Sequence, residues 1–131
     1  MNEEPKSQRY DKADPTNPKD LIGHKKPPLN LVPPALLIHT SMAMADGARK
    51  YGAYNWRLKQ VRYTVYLAAI ERHLAALKDG EDDSSDAHTH HAAHIAACCG
   101  IILDALEGNN LIDDRPAKGP AAAIIKKFTT T

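Results

Sequence analysis

HTHHAAHIAACCGIILDALE, residues 88–107, is the stretch on which the fold turns. Ile95, Cys98, Ile102 and Ala105 recur at helical spacing, the run is rich in alanine, and Gly108-Asn109-Asn110 closes it. A helix over about 88–107 follows. Working back, VRYTVYLAAIERHLAALK, residues 61–78, places Val65, Ala69, His73 and Leu77 on one face, with Gly80 just past the end. A further helix begins near Pro33-Pro34, where proline is tolerated, and runs to about Tyr51 with Gly52 as its stop. Residues 52–59 then form a connection.

The expected fold class is therefore all-α: a small helical bundle of three main helices with an extended N-terminal segment. Three helices are few for a self-sufficient core, so completion by oligomerisation is expected. Seven of the nine prolines fall in the first 34 residues. Residues 1–16 read as a flexible arm, and the stretch after Asn17 as an ordered, extended segment packed on the helices. The domain itself spans 17–116, and 117–131 is a C-terminal tail with a short helix at 120–127. Aromatic residues make up only 5% of the chain, which disfavours a β-sandwich.

Several function classes are excluded at this level. The net charge of +1 gives no field that would draw nucleic acid or membrane. No apolar run approaches the roughly 20 residues of a membrane span. The polar N-terminus has no signal-peptide core, and the adjacent Cys98 and Cys99 read as small buried hydrophobes in a reducing compartment. A soluble, cytoplasmic protein is expected, in the host cell cytoplasm if phage-encoded.

Chemistry concentrates in the middle. Five of the seven histidines lie between positions 73 and 94, and five acids fall within residues 79–86. A loop this acidic repels itself unless cations neutralise it; the bland alternative is a solvated loop. Hard cations such as Mg²⁺ or Mn²⁺ suit carboxylates, and imidazole shifts the preference towards Mn²⁺. His91 and His94 share a face at i, i+3, and His73 lies on an apolar face, where a lone histidine is more often a hydrogen-bonded core residue. His39, Asp46 and Lys50 fall within about 20° of one helical stripe, offering a ligand and a phosphate cation. Tyr51, Asn55, Trp56 and Arg57 cluster with Arg49 and Lys50: Trp56 can stack on a base and Asn55 read its edge, or the group is a snorkelling rim around a structural tryptophan. Arg72 can reach a phosphate or pair with an acid. His90-His91-Ala92-Ala93-His94 lacks the glutamate of a zincin, and there is no His-Asp doublet, Walker loop or Cys-x-x-Cys.

Taken in order, Asn17-Pro18-Lys19-Asp20, Lys50-Tyr51-Gly52, Asn55-Trp56-Arg57, Arg72-His73, Gly80-Glu81-Asp82, His91-x-x-His94, Ala96-Ala97-Cys98-Cys99 and Asp113-Asp114-Arg115-Pro116 resemble the phage dATP/dGTP diphosphohydrolase family. Its MazZ-like members are relatives of the MazG-type all-α nucleotide pyrophosphohydrolases. The resemblance implies hydrolysis of a purine deoxynucleoside triphosphate, dGTP or dATP, to the monophosphate and pyrophosphate, with dGMP feeding synthesis of a 2-aminoadenine nucleotide. It also implies a divalent metal site between helices and a dimer or tetramer. Where the wider superfamily carries Glu-x-x-Glu and Glu-x-x-Asp helices, this chain has Glu71-Arg72-His73 and His91-x-x-His94.

On that basis Glu81, Asp82, Asp86, His91 and His94 are expected to hold Mg²⁺ or Mn²⁺, and Glu71 or His73 to orient or deprotonate water. Lys50 and Arg72 clamp phosphates, Trp56 and Asn55 hold the purine, and His39, Asp46 and Tyr51 complete the substrate site. The rivals are a triphosphohydrolase releasing tripolyphosphate, a non-catalytic nucleotide- or metal-binding regulatory subunit, and a histidine-rich bundle with no ligand.

Overall fold

The computed structural model describes residues 12–131, so most of the expected N-terminal arm lies outside the described residues. Contacts divide the chain into one unit ending at Pro34 and another running from Ala35 to Thr131.

In the first unit the expected extended segment contains a short helix, α1 (Pro18–Gly23). The reason was in the sequence. Asn17 is an N-cap whose Oδ1 accepts from the backbone N–H groups of Lys19 and Asp20 at 3.1 and 3.3 Å, and Pro18 supplies a pre-set first turn. A 3-10 turn follows at Leu29–Leu31.

The three main helices are α2 (Pro34–Tyr51), all but its first residue in the second unit, α4 (Tyr63–Lys78) and α5 (His91–Glu107). A four-residue helix, α3 (Asn55–Leu58), lies within the expected connection, and α6 (Ala121–Phe128) forms in the tail. Two residues the sequence assigned to a helix instead pair as strand: β1 (Val61–Arg62) lies parallel to β2 (Leu111–Ile112), with Val61 opposite Leu111. Helix α4 consequently starts at Tyr63. Asp114 substitutes for a local cap there, accepting from Thr64 N–H at 2.9 Å and from the Thr64 hydroxyl at 2.6 Å. Helix α5 starts at His91, three residues later than expected, because His88 is left-handed (φ 52°) and the His90 ring caps the helix.

α4 and α5 make the principal helix pair. On α2, Ala43 meets Ala93 and Ala97 of α5, with Met44 packed beside them. Small side chains make up this seam. Elsewhere many large apolar side chains stay exposed, among them Leu37, Ile38 and Met42 of α2 and Leu103 and Leu106 of α5. No helix among the described residues is long and apolar enough to cross a membrane.

Ala105 is 2% exposed, so there is no room for a longer side chain. Ala105→Leu should destabilise the fold by about 1–3 kcal/mol, read as a lowered midpoint in denaturant unfolding with an unchanged slope.

Candidate functional site

The end of α4 sets the geometry. Gly80 adopts φ +92°, where a side chain would be strained, and its N–H donates to the Leu77 carbonyl at 3.0 Å. The Glu81 N–H donates to the Ala76 carbonyl, also at 3.0 Å. This Schellman closure turns the chain back over the helix end and brings Glu81 towards α5. The following acidic loop is ordered, not splayed. Asp83 bridges to His90, Ser84 N–H donates to the Thr89 carbonyl at 2.9 Å, and His91 N–H to the Asp82 carbonyl at 2.8 Å.

A chain of side chains results. Glu81 Oε1 lies 2.7 Å from His91 Nε2, and His91 Nδ1 lies 2.8 Å from His73 Nδ1. His73 stacks on His94, with ring centroids 4.5 Å apart and planes 6° from parallel. His94 Nε2 and the Ser84 hydroxyl are 3.3 Å apart. His91 is buried (5% exposed), whereas His73 and His94 are half-buried and line a cavity of about 570 Å³. Burial, reinforced by the other imidazoles, pushes the His73 pKa below its ordinary value; burial also lowers that of His94.

Asp46, Lys50 and Tyr51 of α2, Asn55 and Trp56 of α3, Arg72 of α4 and Asp86 of the loop line the same cavity. The Lys50 ammonium sits 3.0 Å from Asp46 Oδ2 and 3.3 Å from Asp86 Oδ2. Those hydrogen bonds raise the Lys50 pKa, and the one from Lys50 is the main reason the Asp86 carboxyl titrates low. Trp56 is anchored from behind: its Nε1–H donates to Asp104 at 2.7 Å, and Arg57 grips the same carboxylate through two bonds of 2.9 Å. The Asn110 side-chain amide donates to the Trp56 carbonyl at 2.6 Å and the Lys59 carbonyl at 2.9 Å.

The structure thus gathers nine of the expected residues around one centre: Asp46, Lys50, Tyr51, Asn55, Trp56, Arg72, His73, Asp86 and His94. Others fall outside it. Glu71 is exposed and absent from the cavity lining, because α4 presents Val65, Tyr66, Ala69, Arg72 and His73, and position 71 points off that stripe. His39 lines a separate, smaller hollow with His90, their rings 6.4 Å apart; seven residues of helix rise, about 10 Å, carry it away from Asp46. The five expected metal ligands do not converge on one point. Glu81 and His91 bond each other, Asp82 reaches only to 4.0 Å from His90, and Asp86 pairs with Lys50. Among the described residues no three His, Cys, Asp or Glu groups converge on a common metal position. Sequence reading missed the roles of Asp104, Asn110 and Tyr66. The signal for Asp104 was a lone acid in the apolar run Ile101-Ile102-Leu103-Asp104-Ala105-Leu106.

An all-α domain whose cavity joins an anchored indole, two cations, two carboxylates and a pair of imidazoles has the make-up of a site for an aromatic, anionic small molecule. The chain belongs to the dATP/dGTP diphosphohydrolase family, residues 16–115 matching the part described as N-terminal. It is 32% identical over 90 residues to the dATP/dGTP diphosphohydrolase of Salmonella phage PMBT28, a match covering 69% of this chain and 30% of the relative. The matched stretch thus amounts to less than a third of that relative's length. No solved structure matches the chain significantly.

Because His73 and His94 are held below the ordinary imidazole pKa, the unfolded chain binds more protons than the native one once pH falls through about 6.5. Stability from these groups is present above that pH and is lost as pH falls through their native values. The thermal midpoint should drop on acidification below about pH 6.5, and a His73→Gln, His94→Gln double variant should show a shallower drop.

Proposed function

We propose that this chain carries the catalytic centre of a purine deoxynucleoside triphosphate diphosphohydrolase, releasing the monophosphate and pyrophosphate. One observation carries the reading: an indole, two cations and an imidazole whose pKa burial lowers line one cavity of about 570 Å³. The name of the phage relative, dATP/dGTP diphosphohydrolase, supports the substrate class.

In this mechanism Trp56 stacks on the purine and Asn55 meets its edge, while Lys50 and Arg72 pair with phosphate oxygens. His73, kept neutral by burial, accepts a proton from a water molecule. The water oxygen bonds to the α-phosphorus as the bond from that phosphorus to the bridging oxygen breaks, and pyrophosphate departs.

Mg²⁺ or Mn²⁺ fits this cavity as an ion shared with the nucleotide, not as one caged by protein. Asp46 and Asp86 already hold one cationic nitrogen between them, so the Lys50 ammonium is a stand-in for such an ion. One or two carboxylates plus substrate phosphates is the usual arrangement for Mg²⁺. When bound, the ion would neutralise phosphate charge and acidify a coordinated water. Lys50, released from the carboxylates, would be free to pair with phosphate.

Exposed apolar side chains on α2 and α5 support assembly as a homodimer or tetramer. If dGTP is the substrate, the dGMP formed would supply synthesis of a 2-aminoadenine nucleotide.

The deciding measurement offers the purified chain each of four deoxynucleoside triphosphates with Mg²⁺ or Mn²⁺, separating products by ion-exchange chromatography. Monophosphate and pyrophosphate from a purine substrate are expected, with turnover abolished by chelation; tripolyphosphate would instead reveal a triphosphohydrolase. His73→Ala should lower kcat by about 10²–10⁴-fold. Trp56→Ala should raise KM about tenfold, as expected for loss of roughly 1–3 kcal/mol of stacking.

A further inference from the structure

We propose that Glu81 and His91 form a positioning pair that fixes the tautomer of His73, leaving its Nε2 lone pair free for chemistry in the cavity. The proposal deepens the reading of His73 as the base and rests on it for its catalytic part.

The argument is one of hydrogen counting. An ionised carboxylate can only accept, so the 2.7 Å contact between Glu81 Oε1 and His91 Nε2 requires the hydrogen of His91 on Nε2. Wherever His91 carries a single hydrogen, its Nδ1 is then a bare lone pair. The 2.8 Å separation from His73 Nδ1 needs one hydrogen between the two nitrogens, and only His73 can supply it. His73 is therefore the Nδ1–H tautomer. Its Nε2 carries the lone pair and has no hydrogen-bond partner among the described residues.

The rings enforce the same outcome. His91 and His73 centroids are 5.1 Å apart with planes at 50°; turning His73 over in its own plane would keep the flat stack on His94 but set a ring carbon, in place of Nδ1, against His91. The backbone fixes the three anchor points. His91 opens α5 beneath the cap made by the His90 ring, whose Nδ1 accepts from Ala92 N–H at 3.0 Å. Glu81 is set by the turn at Gly80, and His73 lies inside α4. A carboxylate backing an imidazole in this way orients it and selects which nitrogen is basic. The pair acts only through His73, since neither Glu81 nor His91 lines the cavity.

Nitrogen-15 NMR of labelled histidine tests this on the free protein, at a pH above the ordinary imidazole range of about 6.5. In the wild type, His73 should give the shifts of a protonated Nδ1 and bare Nε2. Glu81→Ala should convert that signal to a tautomer mixture, with its helical circular dichroism retained. A wild-type His73 protonated on Nε2 overturns the proposal even if the variant does not fold, as does a Glu81→Ala spectrum unchanged from wild type. In turnover assays Glu81→Ala should lose roughly 10–100-fold in kcat with KM nearly unchanged. Absence of turnover in the wild type would defeat the catalytic reading alone, because the tautomer is read without substrate.

Discussion

Close approach of α4 and α5 is the constraint from which the site follows. An imidazole is short, and two of them meet through ring nitrogens 2.8 Å apart only if their helices run nearly in contact. α2 meets α5 through small side chains, Ala43 against Ala93 and Ala97. The β1–β2 pair and the Asp114 cap pin the start of α4, and the Gly80 turn pins its end. These devices bring together histidines from α4 and α5, with the Glu81 carboxylate behind His91.

Charge is managed locally throughout this region. Asp46 and Asp86 share the Lys50 ammonium, and Asp104 takes the Arg57 guanidinium together with the Trp56 N–H. These contacts sit near solvent and add little to stability individually. Their effect is orientation. Asp104 fixes the indole at the cavity wall, and Lys50 holds the acidic loop against α2. A ligand entering the cavity would meet the Lys50 ammonium already positioned by two carboxylates.

The buried apolar set is mostly alanine, and no large side chain among the described residues is fully buried. The matched stretch corresponds to less than a third of its phage relative. The cavity, in contrast, draws every lining residue from the second unit, between Ala43 and Ile101. Its chemistry is thus local, whatever surrounds the domain.

The sequence alone determined the helices and the chemical inventory. Helical periodicity, the Gly52 and Gly80 stops and the alanine-rich seams are local properties, so α2, α4 and α5 were legible to within a few residues. The Asn17 cap of α1 was equally local and was overlooked. Proximity of Trp56, Lys50, Arg72 and His73 along the chain also marked the site. What the sequence could not decide was which polar atoms face one another. Asp104 meets Trp56 across 48 positions and Asp114 caps Thr64 across 50. Glu81 looked like one acid among five until the turn at Gly80 directed it to His91. His39 and Asp46 shared a stripe on paper, yet the helix rise separates them into different hollows. Periodicity gives direction around a helix axis, and only tertiary packing fixes distance along it and the partner opposite.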